Sequence, residues 1–522
     1  MKELKFEELS TQQKLGMTLT AFLNDDDRTP EEDDFIINLI KNHSLGAVWI
    51  THGRQGSDEL VKRVRKAADY PILIFTDAES GFKPYVVGKH SAIGSTGSEE
   101  HAYAFGKAVG VMGRKKGYNI VCNPILDMRA GSQRSLGEDK EMVAKIAAAI
   151  ARGMHDGGVL CVAKHYPGAN SIGGVDSHMG QSVAAETKAQ LLSYNLYPYL
   201  HLMKEGLLDG IMTSHRVLPE IDPEYPTSLS KKVGDVIRDE GFNGISITDA
   251  LCMMGIRAHF NNVEAKGLAI AAGNDTILPF TANNSVLYDE LCRAYDEGYI
   301  SDDRLDEAVK RILEAQHKIM MLPQDSSLSD KEIHLLETVS KDGVYARADE
   351  GVPVNISRDG KHYFVIMSKC EIGIEAAGQV AVDTFSGGWH EPFEIEKKLK
   401  ELFPNSTVDF INEFPTSMQN FRILKESIGC DELVFLTFSE ALAYVGKERL
   451  THRFVTLIEA MQITGRVSTI VHFGNALVLE ELPHIPRYII GANSKASVHA
   501  CLDVLAGNYP AKGVPTYKIN FK

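Results

Sequence analysis

The chain has 522 residues, 44% of them hydrophobic and 24% charged, the proportions of a folded globular protein, and it is long enough for two or three domains. A net charge of −15 argues against a nucleic-acid-binding surface and against anionic membranes. The opening Met1-Lys-Glu-Leu-Lys-Phe-Glu-Glu lacks the apolar core of a signal peptide, no later run is long enough to span a bilayer, and seven scattered cysteines without metal spacing fit a reducing, cytoplasmic setting.

Ser10–Leu23 has helical spacing with Ser10 as its N-cap. From Leu45 onward, short apolar runs alternate with longer helical patterns. The runs are Gly46–Ile50, Pro71–Phe75, Tyr118–Cys122, Val159–Ala163, Leu208–Met212, Gly244–Ile247 and Asp275–Leu278. Helical patterns such as Glu59–Ala68, Lys140–Asp156 and Ser230–Glu240 lie between them. Strands that are apolar throughout and alternate with helices indicate a parallel sheet covered by helices. Their number and span match a (β/α)8 barrel better than a doubly wound sheet, which would open on a Gly-rich turn. Asp303–Met321 is a further helix and Leu322–Ser329 a Pro/Asp/Ser linker. Strand patterns resume at Lys361–Met367, Glu432–Thr437, Val467–His472 and Arg487–Ile490, with His452–Ile463 helical between them. The expected fold is therefore α/β: an N-terminal TIM-type barrel (1–325), a linker (326–351) and a C-terminal αβα sandwich (352–522).

Each barrel strand is followed by polar or ionisable residues, and barrel enzymes place their sites at these strand ends. They are Thr51-His52, Asp77 with Glu79, Asn123 with Asp127, Lys164-His165, Ser214-His215-Arg216 and Thr248-Asp249. One aspartate after a strand is usually a helix cap; six polar strand ends are harder to explain that way. Lys164-His165-Tyr166-Pro167-Gly168 closes one strand. The small, polar, loop-like residues 169–174 then lead to Asp176-Ser177-His178. If this segment is extended, Asp176 and His178 point the same way and the carboxylate can orient the imidazole for proton transfer. Trp49 reads as core, and His52, His90 and His101 as surface histidines. Glu79, in a turn, fits backbone hydrogen bonding as well as acid chemistry, and no paired base makes Cys161 or Cys252 a nucleophile.

Arg134-Ser-Leu-Gly-Glu-Asp139, Lys164–Gly168, Asp176-Ser-His178, Met212-Thr-Ser-His215 and Ile247-Thr-Asp-Ala-Leu251, with His472-Phe-Gly-Asn475 and Glu480–Gly491 further on, together resemble glycoside hydrolase family 3, in its β-N-acetylglucosaminidase branch. The resemblance implies retaining hydrolysis of terminal β-linked N-acetylglucosamine or a related sugar, with no cofactor and no metal. It implies Asp249 as nucleophile, His178 as acid/base and Asp176 as its partner. Asp77, Arg134, Lys164 and His165 match sugar-binding positions, and His215 a pocket-lining one. A small carbohydrate is the implied partner of a monomer or homodimer. Where the family shows Asp-x-Glu-Gly-Gly-Arg, this chain reads Asp77-Ala-Glu-Ser-Gly-Phe82. Pro167-Gly168 is followed by Ala169-Asn170 instead of His-Gly, and Asp249 by Ala250 instead of a second aspartate. Three alternatives stand beside hydrolysis: phosphorolysis, since a neutral histidine repels phosphate less than a carboxylate would; a degenerate sugar-binding protein; and a metal hydrolase using His165, Asp176, His178 and His215.

Overall fold

The computed structural model describes residues 2–23, 29–128, 134–168, 175–281, 283–368, 371–374, 380–383, 391–439 and 449–522. Contacts divide the chain into two compact units. The first comprises Met1–Val86, Glu99–Ala130 and Lys140–Leu336, and the second Val87–Ser98, Gly131–Asp139 and Glu337–Lys522.

In the first unit the apolar runs form β1 (Thr20–Phe22), β2 (Ala47–Trp49), β3 (Leu73–Thr76), β4 (Ile120–Val121), β5 (Leu160–Tyr166), β6 (Gly210–Thr213) and β7 (Ile245–Thr248). They lie in one sheet in chain order, every neighbouring pair parallel. The eighth position is taken by residues 275–278. Asp275 and Thr276 N–H donate to Ser246 O at 2.7 and 3.1 Å, Ile277 N–H donates to Thr18 O at 2.9 Å, and Thr20 N–H donates to Ile277 O at 3.0 Å. Hydrogen bonds on both sides of this segment close the sheet into a barrel, which leaves no open edge. Each strand is short and buried on both faces, which is why its sequence is apolar without alternation.

Two stretches differ from expectation: the linker expected at 326–351 holds the helix Asp330–Asp342 and the strand Tyr345–Ala348, and the N-terminal helix is shorter than its spacing suggests. Ser10 does cap a helix, through a capping box with Gln13, but that helix covers only Thr11–Met17. The following residues turn into β1, which pairs with β2. An apolar run this short fits a buried strand as well as a helix, and its place beside residues 276–277 decides for the strand. Outside the barrel, the helices Glu99–Lys116 and Lys140–Gly157 meet at glycines. A Cβ on Gly106 would come within 2.0 Å of Ile150 O, and one on Gly110 within 2.6 Å of Gly157 Cα.

The second unit contains β8 (Tyr345–Ala348), β9 (His362–Ser368), β10 (Thr407–Asn412), β11 (Glu432–Phe438), β12 (Val467–Phe473) and β13 (Arg487–Gly491). The parallel strands run in the order β10-β9-β11-β12-β13, with β8 antiparallel at the β13 edge. This is a doubly wound sheet. Tyr363, Val365, Phe435 and Ile470 pack in one core, and Phe364, Ile366, Leu436 and Val471 in the core on the opposite face, as period-two alternation requires. The helix His90–Thr96 belongs to this unit. Val514 N–H donates to Ser95 O at 2.7 Å, and a Cβ on Gly94 would meet Leu136 O at 2.1 Å. The protein is thus a TIM-type barrel followed by an α/β sandwich. No helix among the described residues is long and apolar enough to cross a membrane.

Candidate active site

The site is assembled from the carboxyl ends of β3 to β7. β3 delivers Asp77, and the chain then turns at Gly81, whose φ of +90° and whose contact with Tyr85 O, 2.5 Å from any Cβ, require glycine. The Gly81 N–H donates to Ala78 O at 3.0 Å, and Glu79 lies within this turn. β5 carries Lys164, only 2% exposed, with Nζ 2.5 Å from Asp77 Oδ1 and 2.8 Å from Glu79 Oε1. Two carboxylates thus compensate one buried ammonium, the condition under which a charge is tolerated inside.

His165 follows. Its Nδ1 lies 2.7 Å from Asp127 Oδ2, and Arg216 approaches the other Asp127 oxygen at 3.5 Å. Past the end of β6, His215 is fully buried, Nδ1 2.8 Å from Ser228 Oγ and Nε2 2.9 Å from the carbonyl of Ala250. Burial lowers its pKa, against the raising influence of the Asp249 charge and the Ala250 carbonyl. A neutral ring whose Nε2–H donates to Ala250, and whose Nδ1 accepts from the Ser228 hydroxyl, satisfies both contacts.

Asp249 follows β7. Its backbone N–H donates to Thr213 O at 2.9 Å, and its Oδ1 accepts the Ala250 N–H at 2.7 Å. Burial resists its ionisation, but His165, His215, the Ala250 N–H and the Lys164 ammonium outweigh burial and hold the carboxyl below its usual range. The Cys122 thiol lies within reach of the same field, and burial pushes its pKa well up; it is an inert thiol, as is the equally buried Cys161.

Asp176 and His178 meet through Asp176 Oδ1 and His178 Nδ1 at 2.7 Å. The pair does not form on an extended segment, as expected, but in a turn, because Asp176 Oδ1 also accepts the His178 N–H at 2.9 Å. That side-chain-to-backbone bond is how aspartate folds a loop onto itself. The turn rests on the helix Met254–Arg257 just beyond Asp249: Gly255 and Met254 N–H donate to Ser177 and His178 carbonyls at 3.0 and 3.4 Å. Residues 169–174 lie outside the described residues.

Of the expected residues, Asp77, Lys164, His165, His215 and Asp249 form one connected field, and Asp176 pairs with His178. Arg134 lies in a turn of the second unit. Sequence reasoning left Glu79 without a role, but it shares Lys164 with Asp77; its position two residues after Asp77 was the available signal. Asp127, which orients His165, was named among the strand-end residues without a role, and Ser228, which fixes His215, was missed. Trp49 is core, 2% exposed and packed near Phe75 and Phe280. The surface reading of His90 and His101 is corrected: they are 1% and 9% exposed, because both sit on inward faces of their helices. His52 is half-buried with its ring 4.5 Å from that of the buried Phe82. No group of three His, Cys, Asp or Glu among the described residues is arranged to hold a metal, so the histidine and aspartate set considered for a metal hydrolase does not converge on one point.

Residues 6–315 match the family model described as glycosyl hydrolase family 3 N terminal domain. The chain belongs to glycosyl hydrolase family 3. It is therefore a glycoside hydrolase. A β-hexosaminidase of Idiomarina loihiensis is 31% identical over 236 residues, 42% of this chain and 70% of that protein. In three dimensions the chain resembles a family 3 β-N-acetylglucosaminidase from Paenibacillus, with a TM-score of 0.77 at 22% identity over 98% of this chain and all of the other. A β-glucoside phosphorylase gives the same TM-score and identity, covering 98% and 94% of the two chains. At that identity both structures attest the fold.

Proposed function

We propose that the protein is a retaining glycoside hydrolase that removes terminal β-linked N-acetylglucosamine or a closely related sugar. The observation that carries this reading is the 2.7 Å Asp176–His178 pair in a turn seated on the helix that follows Asp249. The family 3 assignment and the β-hexosaminidase relatives support it. Asp249, kept ionised by its surroundings, attacks the anomeric carbon, and the C–O bond to the leaving group breaks. His178 protonates the departing oxygen from Nε2, because Asp176 occupies Nδ1. The covalent glycosyl-Asp249 ester is then attacked by water, whose proton His178 removes. Lys164, with Asp77 and Glu79, and His165, with Asp127, hold the sugar's hydroxyls, and His215 lines the pocket. Six cysteines are free among the described residues, which supports a reducing, cytoplasmic setting.

The test is a panel of aryl β-glycosides of N-acetylglucosamine, glucose, xylose and N-acetylgalactosamine, each with and without phosphate. Turnover highest on the N-acetylglucosaminide and indifferent to phosphate is the expected result. Acceleration by phosphate with formation of a sugar phosphate would make the enzyme a phosphorylase, a reaction that a histidine base tolerates electrostatically. No turnover of any substrate by folded protein would leave a sugar-binding protein.

A further inference from the structure

Beside the nucleophile loop lies a second opening that the hydrolytic chemistry does not use. It is a cleft of about 170 Å³ bounded by the loop after β7 and by the helices Asn262–Ala271 and Asn284–Asp296. That volume is of the order that accommodates a single aromatic ring. Leu251, Ile256, Phe260 and Leu287 line it, and the Phe260 ring is braced against Tyr225, centroids 6.0 Å apart. The loops after the last two barrel strands are where this architecture often builds accessory anion sites.

The charges in the cleft do not cancel. Lys266, 4% exposed, is 2.6 Å from Glu290 Oε2, and Asn262 Nδ2 holds the other oxygen of Glu290 at 3.1 Å. This pair is internally satisfied. Arg257 also lines the cleft, is exposed, and its guanidinium makes no hydrogen bond or ion pair among the described residues. These three are the ionisable groups of opposite sign in the lining, so the cleft carries a net charge of about +1 on an apolar floor. An unpaired guanidinium at the rim of an apolar slot matches a ligand with a planar apolar body and one carboxylate, because guanidinium and carboxylate meet through two parallel hydrogen bonds.

We propose that this cleft is an accessory binding site for a small aromatic carboxylate, with the ring against Leu251, Phe260 and Leu287 and the carboxylate on Arg257. The probe is benzoate, titrated into the full chain by calorimetry, with uncharged benzamide as control. Wild type should bind one benzoate per chain. Losing a charge-assisted pair should weaken that binding by roughly tenfold or more in Arg257→Gln, and benzamide should be weaker by a similar factor. Val286, 44% exposed on the cleft wall, gives an independent variant: Val286→Glu places a like charge opposite the carboxylate and should also abolish binding. Both positions are exposed, so both variants fold. Absence of saturable binding to wild type, or equal affinity in wild type and both variants, would overturn the proposal.

Discussion

Asp176 Oδ1 accepts two hydrogen bonds from the same residue, one from the His178 backbone N–H at 2.9 Å and one from its ring Nδ1 at 2.7 Å. The carboxylate therefore fixes the loop's shape and the histidine's tautomer together, leaving Nε2 as the atom that exchanges a proton with substrate.

Asp176→Asn should accordingly disable the base nearly as well as His178→Ala. Loss of general acid–base catalysis costs about 10²–10⁴ in kcat on a sugar leaving group, and less on a nitrophenyl leaving group, which needs no protonation. With that activated substrate the glycosyl-Asp249 ester should accumulate and be seen by intact-protein mass spectrometry. Equal losses on every leaving group, with no trapped ester, would make the turn purely structural. The two substitutions should not add in a double mutant, since the pair acts as one unit.

Asp249→Ala should remove the covalent step and lower kcat by several orders of magnitude, at least ~10³, while thermal unfolding shows the fold retained. Turnover near wild type would assign the nucleophile elsewhere.

Replacing Lys164 separates stability from chemistry. Lys164→Met leaves Asp77 and Glu79 facing each other without their cation, a loss of about 2–3 kcal/mol once the 41% exposure of the Asp77 side chain is allowed for. Adding Asp77→Asn and Glu79→Gln should restore much of that stability. KM should stay raised and kcat/KM low in both, because the sugar contacts are gone. Recovery of activity in the triple variant would make the cluster structural only.

The buried His215 predicts a pH dependence of stability. Its folded pKa lies below the ordinary 6.5, so between the two values the unfolded chain binds the proton that the folded chain refuses. This contribution is fully present above pH 6.5 and is lost as pH falls toward the folded value, at up to about 1.4 kcal/mol per pH unit. Urea unfolding of wild type should weaken over that acidic window, and His215→Gln should be flatter there. Identical slopes would show that His215 titrates normally.

Much of this architecture could be read directly from the chain. The unbroken apolar runs at 46–50, 71–75 and 159–163 fit strands buried on both faces because longer helical patterns flank them, and that alternation indicates parallel pairing. The polar residues after each run then had to gather at one end of the barrel, which is why Asp77, Lys164, His165, His215 and Asp249 were identifiable before any coordinates. The boundary between helix and strand at Thr18–Thr20 was not legible, because a short apolar run has no distinguishing period and its state depends on residues 276–277, 258 positions away for the Leu19–Ile277 bridge.

Residue order alone fixes the set of elements and the chemistry of the groups at their ends, since burial pattern and residue type are local properties. How those groups pair depends on the folded chain. Glu79 joins Asp77 on Lys164 because β5 sets the ammonium against both carboxylates; Asp127 reaches His165 because β4 and β5 are neighbours; His215 is pushed toward the neutral form because the barrel buries it. The fold also assigns residues 87–98 to the second unit. Each of these is a short-range interaction between residues distant in sequence, and short-range energies are set by the three-dimensional neighbourhood, which no local pattern records.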